Sequence, residues 1–447
     1  MKIPTITFTR GAIGHHVLVM SSTSALALLA IFLTDILTLT YIAMLRDEAL
    51  VAAVGIAKTL AFFNSSLVAG IIVAAGTMIS RRVGQGACAS LPALVTHMLI
   101  LATLASALVA FIQWLFLGFF AGLLGANAPT SAVARQFIAM TLLASPLMTI
   151  TQAAAQGLRA CGHSVRALAV VLAAAMCLAV VDPLLIFVLD FKLWGAGLSC
   201  LLAAATGALL GLQQLHRHVG LTARIRWRLL RLYGGRINRV ALPFTLGSLA
   251  MPLALTYTMA QLATFGVSVM AGMALMDRVL QIAYCLYFAL PGALVPILAQ
   301  NLGAGDGLRV QATLRSACKL VLGHGLAVWA VLLLVSGWLG PQFGLSGPGQ
   351  HLVEQLCRFG PGPWLLIGLD FIAISLFISR GRVWWVPAYA WLRATLGTVP
   401  FIWVGAQAYG ASGVMLGLWC GNALVALISI ATAVTINRRG RYWAHEH

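Results

Sequence analysis

Apolar runs of about 20 residues recur along the whole chain, and each is long enough to cross a ~30 Å hydrocarbon core as a helix. Within a bilayer, only helices and closed barrels satisfy their own backbone hydrogen bonds, and these runs are continuous rather than alternating. Charged residues make up 9% of the 447 residues and apolar residues 61%, whereas a soluble domain has about 25% charged residues. The sequence therefore predicts an all-α integral membrane protein and excludes a soluble globular fold.

We predict twelve membrane-spanning helices from these runs. Their ranges are 17–44, 51–79, 92–118, 132–157, 165–188, 194–214, 240–266, 271–299, 317–339, 354–378, 386–406 and 411–435. Placing the N-terminus in the cytoplasm puts most of the 28 lysines and arginines into segments on that side. Because basic residues accumulate on the cytoplasmic side, both termini are predicted to be cytoplasmic. The net charge of +18 then reflects topology, and no nucleic-acid partner is expected.

The two halves of the chain repeat each other. Three pairs of glycines share one spacing along the sequence: Gly84 with Gly303, Gly86 with Gly305, and Gly162 with Gly381. Parallel repeats in a multi-pass membrane protein are typical of secondary transporters, which place the substrate site between the repeated halves. We therefore predict two six-helix lobes related by a pseudo-twofold axis.

The repeat also predicts the domain boundaries. The first lobe is expected at 1–214 and the second at 240–435, with a cytoplasmic tail at 436–447. The segment between them, 215–239, is rich in arginine and is too basic to cross a membrane. Its apolar residues from Trp227 to Tyr233 suggest a short amphipathic helix on the inner leaflet, and a solvated linker is the alternative.

The cysteines, histidines and glycines do not form the sequence motifs that enzymes use to bind metals, cofactors or nucleotides. The eight cysteines form no CxxC pair, and the histidines lie mostly at the ends of predicted spans and in loops. The sequence contains no glycine-rich phosphate loop of the Walker type. We therefore expect no metal and no cofactor, and an intramembrane enzyme is the distant alternative to a transporter.

Five motifs carry a family resemblance. They are Gly55-Ile56-Ala57, Arg82-Val83-Gly84-Gln85-Gly86, Gln156-Gly157-Leu158-Arg159-Ala160-Cys161-Gly162, Asp182-Pro183 with Gly195-Ala196-Gly197-Leu198, and Ala299-Gln300-Asn301-Leu302-Gly303-Ala304-Gly305. In this order, over nearly the whole chain, they resemble the multidrug and toxic compound extrusion (MATE) family. The resemblance implies a cation-coupled antiporter that exports drugs or other amphipathic, often cationic, organic compounds by alternating access. Flippases for lipid-linked precursors share the architecture, so a flippase or an exporter of a dedicated metabolite remains an alternative.

Three of the ten acidic residues lie well inside predicted spans: Asp35, Asp182 and Asp370. A charged side chain at the bilayer centre costs roughly 2.5–3.5 kcal/mol on insertion scales and marks an ion or proton pathway by default. The MATE resemblance implies that Asp35 and Asp182 form the cation or proton site of the first lobe. Leu178 and Cys200 stand where sodium-binding relatives have oxygen-bearing residues, which favours protons over sodium as the coupling ion.

Asp370 is a candidate second proton or substrate site, with a structural pair to a buried arginine such as Arg393 as the alternative. Lys58 and Arg278 also fall inside predicted spans, and we interpret both as structural, with a role in closing the lobes as the alternative. Polar and aromatic residues near the span centres are candidates for a cavity lining: Asn64, Gln152, Tyr257, Gln261, Tyr284, Tyr287, Trp364 and Trp391. Aromatic walls suit flat organic cations.

The resemblance also implies where the protein resides and what it meets. We expect a monomer in the bacterial inner membrane. Its partners would be a small organic substrate, a proton or a sodium ion, and the lipid bilayer.

Overall fold

A computed structural model describes residues 8–45, 48–119, 132–222 and 224–442, which form helices and short turns without any strand. The helices, in chain order, are α1 (Ile13–Ala43), α2 (Glu48–Gly84), α3 (Leu91–Leu115), α4 (Ala132–Ala160), α5 (Ser164–Pro183), α6 (Lys192–His218), α7 (Trp227–Ser248), α8 (Ala250–Ala263), α9 (Val267–Ala283), α10 (Cys285–Gly303), α11 (Gly307–Gln342), α12 (Gly347–Phe359), α13 (Pro361–Ser379), α14 (Trp385–Ala394) and α15 (Val399–Tyr442). A 3₁₀ turn precedes α3 at Cys88–Ser90, and a π-helical turn follows α5 at Leu184–Val188.

Eleven helical stretches within these described ranges are long and apolar enough to cross a membrane. The last of them, Trp385–Arg438, consists of two arms that pack against each other, with Gly405 against Gly413 and Gly397 against Gly421. The backbone leaves the helical conformation at Tyr409 and Gly410, where Gly410 has a φ of 59°. Since the chain reverses there, the structure contains the twelve spans that the sequence predicts.

The chain divides into two compact units. The described parts of Met1–Phe8 and Leu26–Leu242 form the first, and Thr9–Ala25 with the described part of Pro243–His447 forms the second. Two helices are therefore shared. The beginning of α1 belongs to the second unit and its remainder to the first, whereas the beginning of α7 belongs to the first unit and its end to the second. The sequence repeat does not predict this exchange.

In the first unit, small residues allow α4 and α6 to approach closely. A Cβ atom on Gly207 would lie 2.7 Å from Thr151 Oγ1, and one on Gly211 would lie 2.7 Å from Ala154 Cβ. Between membrane helices, association depends on close packing rather than on the hydrophobic effect, so glycine and alanine are favoured at such contacts. The α4–α6 contact thus follows from the Gly207–Gly211 spacing of one helical turn.

In the second unit, glycines bring the two arms around Gly410 into backbone contact. A Cβ atom on Gly405 would collide with the carbonyl oxygen of Gly413, and one on Gly421 would collide with that of Gly397. On the second arm Gly413, Gly417 and Gly421 recur at four-residue intervals, and on the first arm Gly397 and Gly405 are eight residues apart, so each set lies along one face of its arm. Glycine is therefore required for this hairpin to close.

The repeated glycines end helices in the same way in both halves. After α2 and α10, Gly86 and Gly305 have φ values of 72° and 75°. Ala87 N donates to Arg82 O at 2.9 Å, and Asp306 N donates to Asn301 O at 3.0 Å. This six-to-one hydrogen bond past a left-handed glycine is the Schellman motif. The glycine repeat therefore encodes a repeated helix end.

The basic segment between the halves is mostly helical. Only residues 219–226 separate α6 from α7, and the apolar–basic residues from Trp227 are the first turns of α7 rather than a separate surface helix. The short connection is fastened to α3, because Thr222 N donates to Thr96 Oγ1 at 3.0 Å and Arg226 N donates to His97 Nε2 at 3.3 Å. Tyr233 on α7 is buried against the same histidine ring.

Candidate functional site

Asp182 is a buried acid in the first unit, with 1% of its surface exposed. It lies near the end of α5, next to Pro183, which has no N–H group to continue the helical hydrogen bonds. Thr38 Oγ1 on α1 donates to Asp182 Oδ2 at 2.7 Å, and Ser199 Oγ on α6 donates to Asp182 Oδ1 at 2.5 Å. Both carboxylate oxygens therefore have a hydroxyl partner from another helix.

A glycine allows Ser199 to reach this acid. A Cβ atom on Gly195 would lie 2.8 Å from the backbone of Leu185, so α6 passes very close to the π-helical turn that follows α5. Ser199 lies one helical turn after Gly195 and faces the same side. The Gly195-Ala196 motif thus positions the hydroxyl group that the acid needs.

Asp35 joins the same group of side chains. It lies three residues before Thr38 on α1, so both side chains project from one face of the helix. Lys58 Nζ on α2 donates to Asp35 Oδ1 and forms an ion pair with it. The side chains of Lys58 and Asp35 are 41% and 42% exposed, in contrast to Asp182. We call Asp35, Thr38, Lys58, Asp182 and Ser199 the acid cluster.

The acid cluster can hold a proton without a large rearrangement. Hydroxyl groups both donate and accept hydrogen bonds, so Thr38 and Ser199 can turn to accept from a protonated carboxyl group. A buried carboxylate also loses the hydration that favours its charged form. Lys58 contacts Asp35, which lies one turn before the Thr38 that binds Asp182. The cluster therefore links two acids and one lysine through α1.

The sequence identifies the two acids but misses the residues that bind them. Ser199, rather than its neighbour Cys200, supplies the oxygen from α6, and Leu178 is a buried apolar residue on α5. Lys58, interpreted as structural from the sequence, contacts Asp35 directly. Spacing along the helices is the sequence signal for these partners, because Thr38 follows Asp35 by one turn and Ser199 follows Gly195 by one turn.

Asp370 lies in the second unit and is also 1% exposed. Arg393 Nη2, at the end of α14, donates to Asp370 Oδ2 in an ion pair. The helix breaks just after Arg393, where Thr398 Oγ1 donates to Arg393 O at 2.8 Å. Among the described residues, Asp370 Oδ1 and Arg393 Nε have no hydrogen-bond partner. The pair with arginine is therefore present, and a second proton or substrate site at Asp370 stays a prediction.

The candidate cavity residues separate into two groups. Asn64 is buried and exchanges hydrogen bonds with Ser106 on α3, at 2.8 Å to the hydroxyl and 3.0 Å to the carbonyl oxygen. Tyr284 and Tyr287 are fully buried among other aromatic rings, with Tyr284 stacked on Trp364 at 4.6 Å. These three side chains lie in the interior of their units in this conformation, and a cavity-lining role stays a prediction for them.

The remaining candidates are accessible. Gln152 on α4 is exposed, and Tyr257 and Gln261 on α8 are partly exposed, four residues apart on one helix face. Trp391 is exposed and donates through Nε1 to Leu246 O at 3.1 Å. A cavity-lining role stays a prediction for these residues. Arg278, the other charge interpreted as structural, donates to Gln281 Oε1 at 3.2 Å.

A multi-pass helical protein with an internal repeat and a buried, hydroxyl-bound acid belongs to the class of membrane transporters. The family model of MatE matches residues 23–184 and 243–378, and the chain belongs to this family, the MATE transporters. The family consists of transporters and not of enzymes, as the sequence predicts. No group of three or more His, Cys, Asp or Glu side chains able to hold a metal ion occurs in the part of the chain that the structure describes.

Relatives of known name carry different substrates. The chain is 25% identical over 434 residues to the FAD transporter of Shewanella oneidensis, covering 93% of each protein. It is 23% identical over 414 residues to the multidrug export protein MepA of Staphylococcus aureus, covering 90% of each. An uncharacterized 21 kDa protein of Pseudomonas savastanoi is 35% identical over 248 residues, which are 54% of this chain and 79% of that protein.

A solved structure shows the same fold. The Vibrio cholerae MATE transporter VcmN, in its bent form, superposes with a TM-score of 0.90 over 96% of this chain and 97% of that one, at 20% sequence identity. The predicted all-α, twelve-helix MATE-like fold is therefore confirmed.

Proposed function

We propose that the protein is a proton-coupled antiporter that exports amphipathic, often cationic, organic compounds by alternating access. The observation that carries the proposal is Asp182, an acid with almost no exposed surface whose two oxygens are bound by hydroxyls from α1 and α6. An acid in this setting marks an ion or proton pathway, and its partners suit both protonation states.

Helix α1 connects proton binding to the rest of the molecule. Asp35 and Thr38 both lie on α1, so a proton that neutralises the acid cluster changes the forces on this helix. The first part of the same helix, residues 13–25, belongs to the second unit. Protonation thus changes the contacts of a helix that both units share, and we propose that this change releases substrate outward and that proton loss to the cytoplasm resets the cycle.

The test uses everted membrane vesicles that carry the full-length protein and a pH gradient. Asp35→Asn and Asp182→Asn should abolish pH-driven efflux of a planar cationic dye such as ethidium, while the proteins remain folded and inserted. Asp190→Asn is the matched control, because Asp190 is an exposed acid outside the cluster. Normal efflux by Asp35→Asn and Asp182→Asn, or efflux that needs sodium and ignores pH, would refute proton coupling at this site.

Export of a dedicated metabolite is the second candidate function. The FAD transporter aligns with 93% of this chain, a larger share than the multidrug exporter MepA does. The same vesicles should therefore be tested with FAD, followed by its fluorescence, beside a panel of cationic dyes. Pumping of FAD alone would replace the multidrug proposal, and movement of a labelled lipid-linked precursor alone would establish a flippase.

The protein is a multi-pass membrane protein. We further propose that it is a monomer in the bacterial inner membrane, with both termini in the cytoplasm, because most of its basic residues lie on that side of the predicted topology. Its partners on this proposal are the organic substrate, protons and the lipid bilayer.

A further inference from the structure

Lys58 is the one residue of the acid cluster that carries a fixed positive charge. It projects from α2 and reaches Asp35 on α1, 23 positions earlier in the chain, so the pair joins two helices rather than neighbouring turns of one. A lysine inside a membrane span is costly unless it has a partner or a function. Asp35 supplies the partner, and the hydrogen bond of Thr38, one turn after Asp35, to Asp182 suggests the function.

The titratable groups around Lys58 come from three other helices. Asp35 on α1 contacts Lys58 directly. Asp182 on α5 is bound by Thr38, one turn after Asp35, and by Ser199, the residue before Cys200 on α6. Two carboxylates in one membrane-embedded cluster attract a cation. The ammonium group already provides one positive charge at this place, and it occupies an oxygen that a metal ion would need.

Oxygen ligands for sodium are present in the cluster. The carboxylates of Asp35 and Asp182 and the hydroxyls of Thr38 and Ser199 are hard oxygen donors, the type that sodium prefers. The replacement of oxygen ligands by Leu178 and Cys200 is therefore not enough to exclude sodium. Within the cluster, the positively charged ammonium group of Lys58 is the group that repels a second cation.

We propose that Lys58 is a tethered cation that takes the place of a free metal ion at the acid cluster and so makes the proton the coupling ion. The inference rests on the proposed coupling function of Asp35 and Asp182. A proton adds to a carboxylate oxygen without needing several ligands, so Lys58 tolerates it. When Asp35 is protonated, the flexible lysine stem lets the ammonium group turn towards Asp182.

Sodium binding tests the inference without a known substrate. Equilibrium binding of radioactive sodium is measured on the purified full-length protein in detergent, for wild type, Lys58→Gln, Lys58→Arg and the double variant Lys58→Gln with Asp35→Asn. Lys58→Gln should bind sodium saturably, and a fall in pH should displace it. Wild type and Lys58→Arg should bind none above background, and the double variant should lose the binding.

Two results would overturn the inference: saturable sodium binding by the wild type, or none by a folded Lys58→Gln. If Lys58→Gln does not fold, wild type and Lys58→Arg are tested in proteoliposomes instead. Replacing sodium by choline should leave their pH-driven ethidium efflux unchanged. A loss of efflux in choline refutes the inference. Failure of the coupling site itself is distinguishable, because it appears as normal efflux by Asp35→Asn.

Discussion

At the scale of single residues, the acid cluster shows how a buried carboxylate is kept in a membrane protein. Each oxygen of Asp182 accepts one hydroxyl, and the hydroxyls come from two different helices. Hydrogen bonds to a charged group are worth about 1.5–3 kcal/mol each. The charged form of Asp182 therefore depends on Thr38 and Ser199.

Removal of one hydroxyl should change the pH dependence of transport. In Ser199→Ala the charged carboxylate loses one of its two hydroxyl donors, so its charged form is less favoured and the pH of half-maximal efflux should rise. The measurement is pH-driven dye efflux in vesicles across a series of pH values. Cys200→Ala is the matched control, since Cys200 donates no hydrogen bond to the acid. Identical profiles for both variants would show that Ser199 does not tune the proton site.

The sequence predicts the two acids because carboxylates are rare inside spans, but it does not predict their partners. Serine and threonine hydroxyls in helices usually bond to a carbonyl oxygen of their own helix, as Thr34 does with Ala30 O at 3.1 Å. No local pattern distinguishes Thr38, which turns to Asp182 instead. The pairing of Lys58 with Asp35 is not predicted for a similar reason, because its partner lies on another helix.

At the scale of helices, glycine controls the close contacts. The two arms of α15 and its preceding segment meet through Gly397, Gly405, Gly413 and Gly421, where even one methyl group would collide with backbone. Other glycines are in open space, and Gly323 on α11 has no atom within 4 Å of a Cβ placed on it. The effect of replacing a glycine therefore depends on whether neighbouring atoms already fill the space that a Cβ atom would take.

The glycine hairpin should be far less tolerant of substitution than α11. Gly405→Ala forces the two arms apart and should destabilise the protein by about 1–3 kcal/mol or more, as overpacking does. Gly323→Ala should be neutral or slightly stabilising, because alanine has the higher helix propensity. Thermal unfolding of the purified variants in detergent measures both effects. Equal melting temperatures for Gly405→Ala and wild type would contradict the packing described for the hairpin.

The sequence predicts the positions of most helices but not the start of α7. The apolar runs predict the spans, and the repeated glycines predict the helix ends at Gly86 and Gly305. The pattern from Trp227 to Tyr233 fits a surface helix equally well as the first turns of a span. Tertiary contacts decide between these two structures, because Tyr233 is buried against His97 and the local sequence does not predict this contact.

At the scale of the whole molecule, topology follows from the distribution of charge. The connection between α6 and α7 is short, basic and exposed at Arg224. On the proposed topology this connection faces the cytoplasm, and the opposite turn between α5 and α6 at Lys192 faces outward.

Labelling of introduced cysteines tests this topology. In a background without the eight native cysteines, Arg224→Cys should react with a membrane-impermeant maleimide only in everted vesicles. Lys192→Cys, the matched control, should react only in intact cells. Labelling of the Arg224→Cys protein from outside would reverse the topology and with it the direction of proposed transport.

The shared helices α1 and α7 bear on the history of this chain. The start of α1, residues 13–25, belongs to the unit formed mainly by the second half, and the start of α7, residues 227–242, belongs to the unit formed by the first half. If the repeat arose by gene duplication, a half-length ancestor with this arrangement would have been a homodimer whose subunits exchanged their N-terminal arms. Fusion would then have converted an intermolecular exchange into an intramolecular one. Neither half of the present gene, expressed alone, would encode a unit with all of its own helices.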